Sequence, residues 1–533
     1  MRFRAVDWAL VIALGAALYL PGLAGHSLWN PDEPRFAEIA RVMTASGDWL
    51  TPRLNGEPYS NKPPLLFWSI AAIGRVTGGV GELAARLPSA LAAIGVLVLT
   101  GLMGSAIGGR RVGWFSVAVL ATAHRFAWQA RWCETDMLLC LWVTLSLAAY
   151  QAASRSGRLG WLGALALYGG TAVGVLTKGL AAPVVTGLAI LSDVTRRRAF
   201  REVLGYRLVP GTVLFLAIAA PWFLSMYHVN GGAFVGHFFL QQHLQRFVHP
   251  FDHAHGPLYY LYTFPPEFLP WSLLLPGVVL VLARDRALLV RLSLPLGWFA
   301  TTFLFFSIAG SKRGLYLLPA FPAAAIVVGA AIDRWLSDKQ LAGFPYLWFD
   351  LPLWAMPGIV GGAALIGPFV ALVVSRHDAG AAFACAAVLV PLGAGLTLWA
   401  AKGARERFLA TFAIAAVVIV LTAGIVFPRV DHYKSAKPLA AHIAQVLPPG
   451  VPLGLYQYDR AHFNFYMKRD VIQPLTTPAE ASTFLHQPPN ACILTETKEL
   501  ATLETELGVP LAHVAEDSVG HRRLHLACAA PLR

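Results

Sequence analysis

Long apolar runs recur along most of this chain of 533 residues. An α-helix needs about 17–25 consecutive apolar residues to cross the hydrocarbon core of a bilayer. Runs of roughly that length lie at 8–25, 84–107, 112–130, 134–153, 160–177, 180–195, 208–227, 265–283, 288–309, 314–333, 353–374, 380–401 and 408–427. The pattern predicts a mainly α, polytopic membrane protein with about thirteen transmembrane helices. A shorter apolar run at 63–76 predicts an interfacial or re-entrant segment.

Charged residues make up only 13% of the chain, about half of the ~25% found in an ordinary globular protein. So little charge cannot keep a chain of this size in water, which excludes a soluble enzyme and a disordered chain. The formal net charge of +13 is typical of nucleic-acid-binding proteins, but in a membrane protein lysine and arginine gather in cytoplasmic loops. No nucleic-acid partner is therefore predicted, and membrane lipids are the expected surroundings.

The basic residues of the short links predict the orientation of the chain. With the N-terminus in the cytoplasm, alternate links carry groups such as Arg110 with Arg111 and Arg196 with Arg197, as the positive-inside rule expects. The opposite face then carries two long insertions, 26–83 and 228–264, and the C-terminal tail. We interpret the first apolar run as an uncleaved anchor, because further spans follow it.

The composition changes near residue 429, where polar residues return. Short β-like runs alternate there with helical stretches, as in a small α/β domain. The strands are predicted at 452–458, 491–495 and 521–527, and the helices at 438–446 and 478–484. The sequence thus divides into a transmembrane domain, 1–428, and an extracytoplasmic α/β domain, 429–533. Cys492 and Cys528 lie in the second domain, where a disulfide and two unpaired cysteines are about equally consistent with the sequence.

Several cations lie on the predicted outer face near the ends of spans, where they add nothing to topology and are costly to desolvate. They are Arg35, Lys62, Arg125, Arg131, Lys178, Arg246, Lys312 and Arg313. Each is a candidate for binding an anion, and the alternative for each one alone is an interfacial anchor whose head reaches water. Carboxylates accompany them at Asp32, Glu33, Glu134 and Asp136. Because these charges gather on one side only, we predict that they share a cavity.

The first outer loop is the richest in such residues. Asn30 and its neighbouring prolines favour a helix start, and Asp32 and Glu33 suit the positive end of a helix dipole. A capped interfacial helix is therefore one interpretation. The other begins from the spacing of Asp32 and Arg35, which places both on one helix face, as a reaction between a charged lipid donor and a nucleophile would require. Lys62 falls where polar loop gives way to an apolar segment, at the depth expected of a lipid phosphate.

The same loop contains the run DEPRFAEIARVMTASGDWLTPRLNGEPYSNKPPLLFW, from Asp32 to Trp68. This run closely resembles the first periplasmic loop of the bacterial aminoarabinose transferases of lipid A, which are polyprenyl-phosphate-sugar-dependent GT-C glycosyltransferases related to protein O-mannosyltransferases. Later landmarks agree in order, namely Glu134-Thr135-Asp136-Met137, Thr177-Lys178-Gly179, His243-Leu244-Gln245-Arg246-Phe247 and Ser311-Lys312-Arg313-Gly314-Leu315-Tyr316-Leu317-Leu318-Pro319. The resemblance covers most of the membrane region and implies a GT-C fold with periplasmic juxtamembrane helices in the first outer loop.

The resemblance also implies roles for the matching residues of this chain. Asp32 would be the loop carboxylate at the reaction centre, and Asp136 the second acidic residue of the cavity. The lipid phosphate would be bound by Lys62, Arg246 and Tyr316, and the cavity would be lined further by Glu33, Arg35, Phe36, Lys178 and His243. Two positions depart from the family pattern, since Phe36 lacks the hydroxyl of a common tyrosine and Asn61 stands where a glutamate is common.

Histidines are frequent in the second outer loop, at His237, His243, His249, His253 and His255. The sequence favours polar loop histidines over a zinc site. The neutral Asn61 points the same way, because it removes the acidic partner that a histidine has in some relatives. No cofactor is predicted, and a divalent metal is the less favoured alternative.

Together these features predict a glycosyltransferase of the bacterial inner membrane that moves one sugar from a polyprenyl (undecaprenyl) phosphate to an acceptor on the periplasmic face. Lipid A or another lipopolysaccharide sugar is the preferred acceptor, and transfer to a protein, as by protein O-mannosyltransferases, is the close alternative. The phosphate is the leaving group, so lysine and arginine would stabilise its developing charge. Asp32 would act either as a general base or as an electrostatic and positioning group. A transporter or lipid flippase is the alternative from another class, although it should line a route through the midplane.

Overall fold

The computed structural model describes residues 3–249, 252–337, 344–375, 378–448, 450–458, 462–487, 490–519 and 522–530. The chain divides into two compact units. The first consists of Met1–Leu23, Ser60–Leu66 and Arg86–Val426, and the second of Ala24–Tyr59, Phe67–Ala85 and Phe427–Arg533. Most of the first outer loop therefore belongs to the same unit as the C-terminal segment.

Helices account for most of the described chain. The first twelve are α1 (Ala5–Tyr19), α2 (Asp32–Ser46), α3 (Leu65–Thr77), α4 (Glu82–Gly108), α5 (Arg110–Thr122), α6 (His124–Gln129), α7 (Thr135–Ser156), α8 (Trp161–Ala164), α9 (Gly170–Lys178), α10 (Ala181–Arg197), α11 (Leu208–Gly236) and α12 (Arg246–Val248). The others are α13 (Tyr259–Glu267), α14 (Leu275–Arg284), α15 (Arg286–Arg291), α16 (Ser293–Ile308), α17 (Phe321–Ser337), α18 (Phe344–Val374), α19 (Ala379–Ala400), α20 (Ala404–Leu421), α21 (Phe427–Lys434), α22 (Lys437–Val446), α23 (His462–Met467), α24 (Pro478–Leu485) and α25 (Thr497–Leu507). Short π-helical segments lie at Leu165–Gly169, His237–Gln245 and Thr422–Val426, and 3₁₀ segments at Phe200–Tyr206, Trp271–Leu274 and Gly314–Ala320.

Among the described residues, seven helical segments are long and apolar enough to cross a membrane. They are Glu82–Gly108, Thr135–Ser156, Leu208–Val248, Gly314–Ser337, Leu347–Val374, Ala379–Ala400 and Ala404–Lys434. An eighth is formed if Tyr259–Glu267 and Trp271–Arg284, which meet at 112°, are counted as one bent span. Three shorter apolar helices are Ala5–Tyr19, Leu65–Thr77 and Ser293–Ile308. The protein is thus a multi-pass, mainly helical membrane protein, whereas the count of thirteen spans stays a prediction.

The backbone pattern changes inside two of the predicted spans. The apolar run 160–177 folds as one continuous helical stretch, in which α8 passes into a π-helical segment and then into α9. The run 112–130 is interrupted at Ala123, whose extended backbone separates α5 from α6. Hydrophobicity measures the length of an apolar run, but it does not register where the hydrogen-bonding pattern of the backbone changes.

Close packing in the first unit brings three element ends together. α7 packs against α9 and against the 3₁₀ segment Gly314–Ala320. α17, which continues that segment, is buried along most of its length and packs against α5 and α16. A Cβ on Gly329 would lie 2.7 Å from the backbone nitrogen of Ser116 in α5, so glycine permits this approach of the two helices. The start of α7, the end of α9 and the segment Gly314–Ala320 are thereby held side by side.

The second unit contains a mixed five-stranded sheet and a small hairpin. Its strands are β1 (Arg53–Leu54), β2 (Glu57–Pro58), β3 (Leu453–Tyr456), β4 (Gln473–Leu475), β5 (Cys492–Glu496), β6 (Ala512–Val519) and β7 (Arg522–Cys528). The antiparallel pair β1–β2 forms the hairpin, and the larger sheet has the order β4-β3-β5-β7-β6. β3 is parallel to β4 and β5, whereas β7 is antiparallel to β5 and β6. The small α/β fold expected of this segment is confirmed, but the sequence missed β4, which is very short, and β6, which is largely polar.

Successive strand residues alternate between two helix layers, as the period of a β-strand requires. Leu494 faces the apolar cluster formed with α22 and α23, and its neighbour Ile493 faces the cluster formed with α24 and α25. Cys492 and Cys528 lie opposite each other in the register of β5 and β7 and are joined by a disulfide. The structure therefore selects the bonded state of the two that the sequence left open.

Candidate active site

A cavity of about 340 Å³ opens within the first unit. Much of its wall is apolar and includes Phe238, Phe239, Phe247, Phe305 and Phe306. Its polar lining consists of Asn61, Lys62, Asp136, Lys178, Gln242, His243, Arg246, Ser311 and Tyr316. Three cations and one carboxylate are the charged residues of this lining. Such a cavity suits a ligand with an anionic head and an apolar tail.

Six of the ten residues that the sequence proposed for the site share this cavity. They are Lys62, Asp136, Lys178, His243, Arg246 and Tyr316. They come from five separate segments of the chain, so their assembly depends on the packing of α7, α9 and the segment Gly314–Ala320. The other four residues, Asp32, Glu33, Arg35 and Phe36, belong to the second unit and form a group of their own.

Asp136 and Lys178 form an ion pair in the cavity wall. The Nζ of Lys178 donates to Oδ1 of Asp136 at 2.5 Å. Asp136 lies in the first turn of α7 and Lys178 in the last turn of α9, and each charge therefore sits at the helix end whose dipole favours it. The same ammonium lies 4.6 Å from the ring centroid of Tyr316, a cation–π contact that holds all three side chains together.

His243 uses both of its ring nitrogens on the backbone. Nδ1 lies 2.8 Å from the carbonyl oxygen of Phe238, and Nε2 accepts from the backbone N–H of Leu180 at 3.2 Å. This arrangement requires a neutral ring protonated at Nδ1. Gly179 has a φ of +67°, and a Cβ there would lie 2.2 Å from Nε2. The histidine thus docks on the end of α9 and shapes the cavity, and its ring nitrogens are already engaged.

Arg246 is held by two side chains. Its Nε donates to Oδ1 of Asp252 at 3.0 Å, and its Nη2 donates to the other oxygen of that carboxylate. Nη1 donates to Oε1 of Gln242 at 3.1 Å. Burial opposes ionisation of Asp252, but the guanidinium of Arg246 outweighs this effect and lowers the pKa of the carboxyl. Arg246 is therefore a fixed cation rather than a mobile one.

Gln242, Asn61 and Ser311 extend this network, and the sequence did not predict them as site residues. The Nε2 of Gln242 donates to Oδ1 of Asn61 at 3.1 Å. Asn61 directly precedes Lys62 in the chain. Ser311 donates from Oγ to Oδ1 of Asp252 at 3.3 Å. A signal existed for Asn61, which departs from the family pattern, whereas nothing in the sequence marks Gln242 because its partners lie on distant segments.

In the second unit, Asp32 and Arg35 lie on one face of the first turn of α2, as their spacing predicts. Nη1 of Arg35 is 3.4 Å from Oδ1 of Asp32, and the side chains are 28% and 13% exposed. Glu33 is fully buried, and its Oε2 accepts from the backbone N–H of Trp29 at 3.0 Å. Phe36 is buried against Phe67, with ring centroids 5.8 Å apart. Glu33 therefore stabilises the helix start, while Asp32 and Arg35 keep part of their charged groups accessible.

Four other cations that the sequence offered as anion-binding candidates are engaged by the chain itself. Arg131 donates to the carbonyl oxygens of Leu18, Tyr19 and Pro21. Lys312 donates to the carbonyls of His255 and Ala309. Arg125 pairs with Glu267 at 2.7 Å, and Arg313 lies 3.4 Å from Glu134. Arg131 and Lys312 are buried, so their heads do not reach water as an interfacial anchor would; all four cations compensate polar groups of the fold.

The histidines of the second outer loop do not assemble into a metal centre within the described residues. No three His, Cys, Asp or Glu side chains of that part of the chain are grouped so that they could hold a metal ion. His237 instead contacts Ser60, with 2.7 Å between Nδ1 and Oγ. His255 stacks on Tyr259 at a centroid distance of 4.4 Å.

Comparison with known proteins finds similarity to transferases whose names include a lipid phosphate. Residues 8–230 match the family model described as dolichyl-phosphate-mannose-protein mannosyltransferase. The undecaprenyl phosphate-alpha-4-amino-4-deoxy-L-arabinose arabinosyl transferase 1 of Pseudomonas fluorescens is 32% identical over 343 residues, which are 62% of this chain and 59% of that protein. The transferase of this name from Pseudomonas aeruginosa is 31% identical over 67% of this chain and 65% of its own length. The chain thus spans about three fifths of the length of such curated relatives.

A likeness over the whole chain is found among solved structures. The crystal structure of ArnT from Cupriavidus metallidurans bound to undecaprenyl phosphate superimposes with a TM-score of 0.81 over 99% of each chain, at 24% identity. At that identity the likeness shows the fold. Fold and cavity together define a multi-pass membrane protein of the GT-C architecture.

Residues 8–230 are thus similar to the protein mannosyltransferase family, and about three fifths of the chain is similar to the bacterial aminoarabinose transferases. The resemblance expected from the first outer loop and the later landmarks is confirmed.

Proposed function

We propose that this protein is a glycosyltransferase that moves one sugar from a polyprenyl phosphate, such as undecaprenyl phosphate, to an acceptor on the periplasmic face of the bacterial inner membrane. The observation that carries the proposal is the cavity lined by Lys62, Lys178 and Arg246 among phenylalanines. Lysine and arginine bind phosphate through charge-assisted hydrogen bonds. A phosphate on an isoprenoid chain offers such an anion together with an apolar tail for the walls.

The phosphate subsite is assigned to Lys62, Arg246 and Tyr316. Asp252 and Gln242 fix the guanidinium of Arg246, so little side-chain entropy is lost when it binds an anion. Lys178 is paired with Asp136 and lies against the ring of Tyr316. We assign it to shaping the subsite and holding Asp136 and Tyr316 in place.

The reaction needs no external activation of the donor. The bond between the anomeric carbon and the phosphate oxygen breaks, and the phosphate leaves with the electron pair. The acceptor oxygen forms the new bond to the anomeric carbon and gives up its proton. Preorganised cations lower the barrier by stabilising the charge that develops on the leaving phosphate. Lys62 and Arg246 are the residues proposed for that task.

Asp32 is the proposed carboxylate of the reaction centre, on the strength of its matching motif and its partly exposed side chain beside Arg35. For a hydroxyl acceptor, Asp32 would take the proton as a general base. For an acceptor that is already a phosphate monoester, no base is needed, and Asp32 would stabilise positive charge at the anomeric carbon. The dependence of kcat on acceptor type separates these two roles.

Lipid A or another lipopolysaccharide sugar is the proposed acceptor, because the curated relatives named above are aminoarabinose transferases. Transfer to a protein is the second candidate, because the matching family model is that of protein mannosyltransferases.

The proposal also covers membrane topology. The N-terminus is cytoplasmic, the chain crosses the membrane about thirteen times, and residues 429–533 are periplasmic. The disulfide between Cys492 and Cys528 supports the last of these, since such bonds persist in oxidising compartments.

Purified protein with a radiolabelled undecaprenyl-phosphate sugar tests the activity directly. Transfer to lipid A, with release of undecaprenyl phosphate, is the expected result, and transfer to a protein instead would select the second candidate. A flippase or transporter would release no undecaprenyl phosphate in detergent, so a complete lack of product would contradict the proposal. Mass spectrometry of lipid A from a deletion strain names the sugar, because loss of a pentosamine or a hexosamine changes the mass differently.

Variants test the assigned residues. Asp32→Asn should abolish transfer while the protein stays folded in detergent, and full activity would exclude Asp32 from the reaction centre.

Lys62→Ala and Arg246→Ala should each weaken binding of undecaprenyl phosphate by about 10-fold or more, as for the loss of a charged hydrogen bond. Arg158→Ala removes an exposed cation of a short link and serves as the matched control with unchanged binding.

A further inference from the structure

We infer that Asp431 positions the first outer loop for the reaction, and that the C-terminal segment of the second unit serves to hold that loop. The inference rests on the proposed function, because it takes Asp32 as the carboxylate of the reaction centre. Asp431 lies in α21, and Asp32 is the first residue of α2. Hydrogen-bond donors from the loop before α2 converge on the carboxylate of Asp431.

The contacts of Asp431 are short and charge-assisted. Ser27 donates from its backbone N–H to both carboxylate oxygens at 3.1 Å, and from Oγ to Oδ1 at 2.6 Å. The indole Nε1 of Trp29 donates to the same Oδ1 at 2.7 Å. Ser27 and Trp29 are both buried, so loss of the carboxylate would leave buried donors without their acceptor. Asp431 thereby fixes the backbone at position 27 and the ring at position 29.

Trp29 connects this contact to the start of α2. Its backbone N–H donates to Oε2 of Glu33, and Glu33 follows Asp32 directly in the chain. The indole ring also packs against Phe427, the first residue of α21, with centroids 5.4 Å apart. The connected set Asp431, Trp29 and Glu33 therefore ends one residue from Asp32, within the first turn of α2.

Other contacts join the same segments further from Asp32. Arg41 is paired with Glu38 and also reaches Asp470 at 2.5 Å. Asn55 exchanges two hydrogen bonds with the backbone of Ile472, at 2.7 and 2.8 Å. These contacts hold the later part of α2 and the hairpin β1–β2, so loss of Asp431 should not release the loop as a whole. The backbone N–H of Leu28 also donates to the hydroxyl of Tyr466, at 2.6 Å. What Asp431 adds is the anchoring of Ser27 and of the indole of Trp29.

A positioning role has a kinetic signature that differs from general stabilisation. The residues proposed to bind the donor phosphate, Lys62 and Arg246, belong to the first unit, so donor affinity should not depend on Asp431. Displacement of a reacting group by about 1 Å can cost about 100-fold in rate. Positioning therefore predicts a loss of kcat without a change in donor affinity.

The test uses the full-length protein in detergent, with undecaprenyl phosphate as the probe of binding and an undecaprenyl-phosphate sugar for turnover. Asp431→Ala should lower kcat by about 10- to 100-fold and leave the dissociation constant of undecaprenyl phosphate unchanged. Asp431→Asn keeps an acceptor oxygen for Ser27 and Trp29, so it should recover part of the activity. Trp29→Phe removes the indole donor but keeps an aromatic ring, and it should lower kcat in the same direction. Asp517→Asn, an exposed aspartate in β6, is the control with wild-type turnover.

Hydrogen exchange provides a second measurement, independent of turnover. In Asp431→Ala the amides of residues 27–33 should exchange faster, while those of β5 and β7 keep their wild-type rates. If Asp431→Ala does not fold, Asp431→Asn and Trp29→Phe decide the question by the same measurements.

Three outcomes would overturn the inference. Wild-type kcat in all three variants, with an active parent protein, overturns the inference alone. A parallel loss of kcat and of undecaprenyl phosphate binding shows general destabilisation, which also excludes positioning. A wild-type protein that transfers sugar from neither a pentosyl nor a hexosyl undecaprenyl-phosphate donor overturns the proposed function and this inference together.

Discussion

Asp136 and Lys178 form an ion pair where the first turn of α7 meets the last turn of α9, with 2.5 Å between Oδ1 and Nζ. Their side chains are 4% and 16% exposed, so both charges have lost most of their water. Neither could be buried in this way alone, because an unpaired charge in an apolar surrounding is costly. The pair thus places a carboxylate beside a cation in the wall of a cavity that is otherwise largely apolar.

Replacement of Lys178 by methionine removes the cation and keeps most of the side-chain volume. The uncompensated carboxylate should destabilise the protein by about 1–3 kcal/mol, below the figure for a fully buried pair because Lys178 is partly exposed. The midpoint of thermal unfolding in detergent should fall, and the double variant with Asp136→Asn should recover part of the loss. Lys402→Met, at an exposed position between α19 and α20, is the control with an unchanged midpoint. An equal midpoint for Lys178→Met and the wild type would show that the pair contributes nothing.

Gly179→Ala tests the docking of His243 on the end of α9. Its Cβ would lie 2.2 Å from Nε2 of His243, so the imidazole has to move and the hydrogen bond from Leu180 should be lost. Binding of undecaprenyl phosphate should weaken, since the ring lines the cavity. Gly157→Ala is a matched control, because Gly157 also has a positive φ, +69°, at a helix end but no atom within 4 Å of a Cβ. The control should cost only the conformational strain of about 1–2 kcal/mol and leave binding intact, and equal effects of the two variants would contradict the prediction.

Removal of the disulfide should loosen the second unit. The bond between Cys492 and Cys528 spans a sequence separation of 36 residues, and cross-links of that kind stabilise by about 2–4 kcal/mol. The double variant Cys492→Ser with Cys528→Ser should show faster proteolysis and faster hydrogen exchange in β5 and β7. Cys385→Ser, at a free cysteine of α19, is the control. Wild-type proteolysis and exchange in the double variant would mean that the sheet does not depend on the bond.

Acidification should weaken the contact between Arg246 and Asp252. The pKa of Asp252 is lowered in the folded protein, from an ordinary value of about 3.9 in the unfolded chain. A lowered carboxyl pKa contributes its full stabilisation above the unfolded value and loses it as the pH falls through the folded value. The difference in thermal midpoint between the wild type and Asp252→Asn should therefore be constant above about pH 5 and shrink below about pH 4. A difference in thermal midpoint that stays unchanged below about pH 4 would argue against this ion pair. Asp517→Asn provides the comparison at an exposed site.

The sequence predicted the charged residues of the cavity better than it predicted the residues that hold them in place. Lys62, Asp136, Lys178, Arg246 and Tyr316 were all predicted and line one cavity. Their recognition depended on charge in an apolar setting and on family motifs, both of which are local properties. The network that holds Arg246 was missed, because Gln242 and Asp252 are polar residues with no unusual local pattern.

The spans show a similar division. Apolar length correctly indicated a multi-pass helical protein, and the return of polar residues near 429 indicated the small α/β fold. The π-helical segment inside the run 160–177 and the break at Ala123 were not predictable, because hydrophobicity is indifferent to the hydrogen-bonding pattern of the backbone.

The amino-acid sequence by itself determined the class of protein, since scarce charge and long apolar runs leave no other solvent than a bilayer. It also determined which residue types could bind a lipid phosphate. Only the tertiary structure decided which cations line the cavity. Arg131 and Lys312 donate to carbonyl groups of the chain, whereas Lys62 and Arg246 line the cavity. Whether a buried cation serves the fold or a ligand depends on partners from distant segments, and these meet only when the chain has folded.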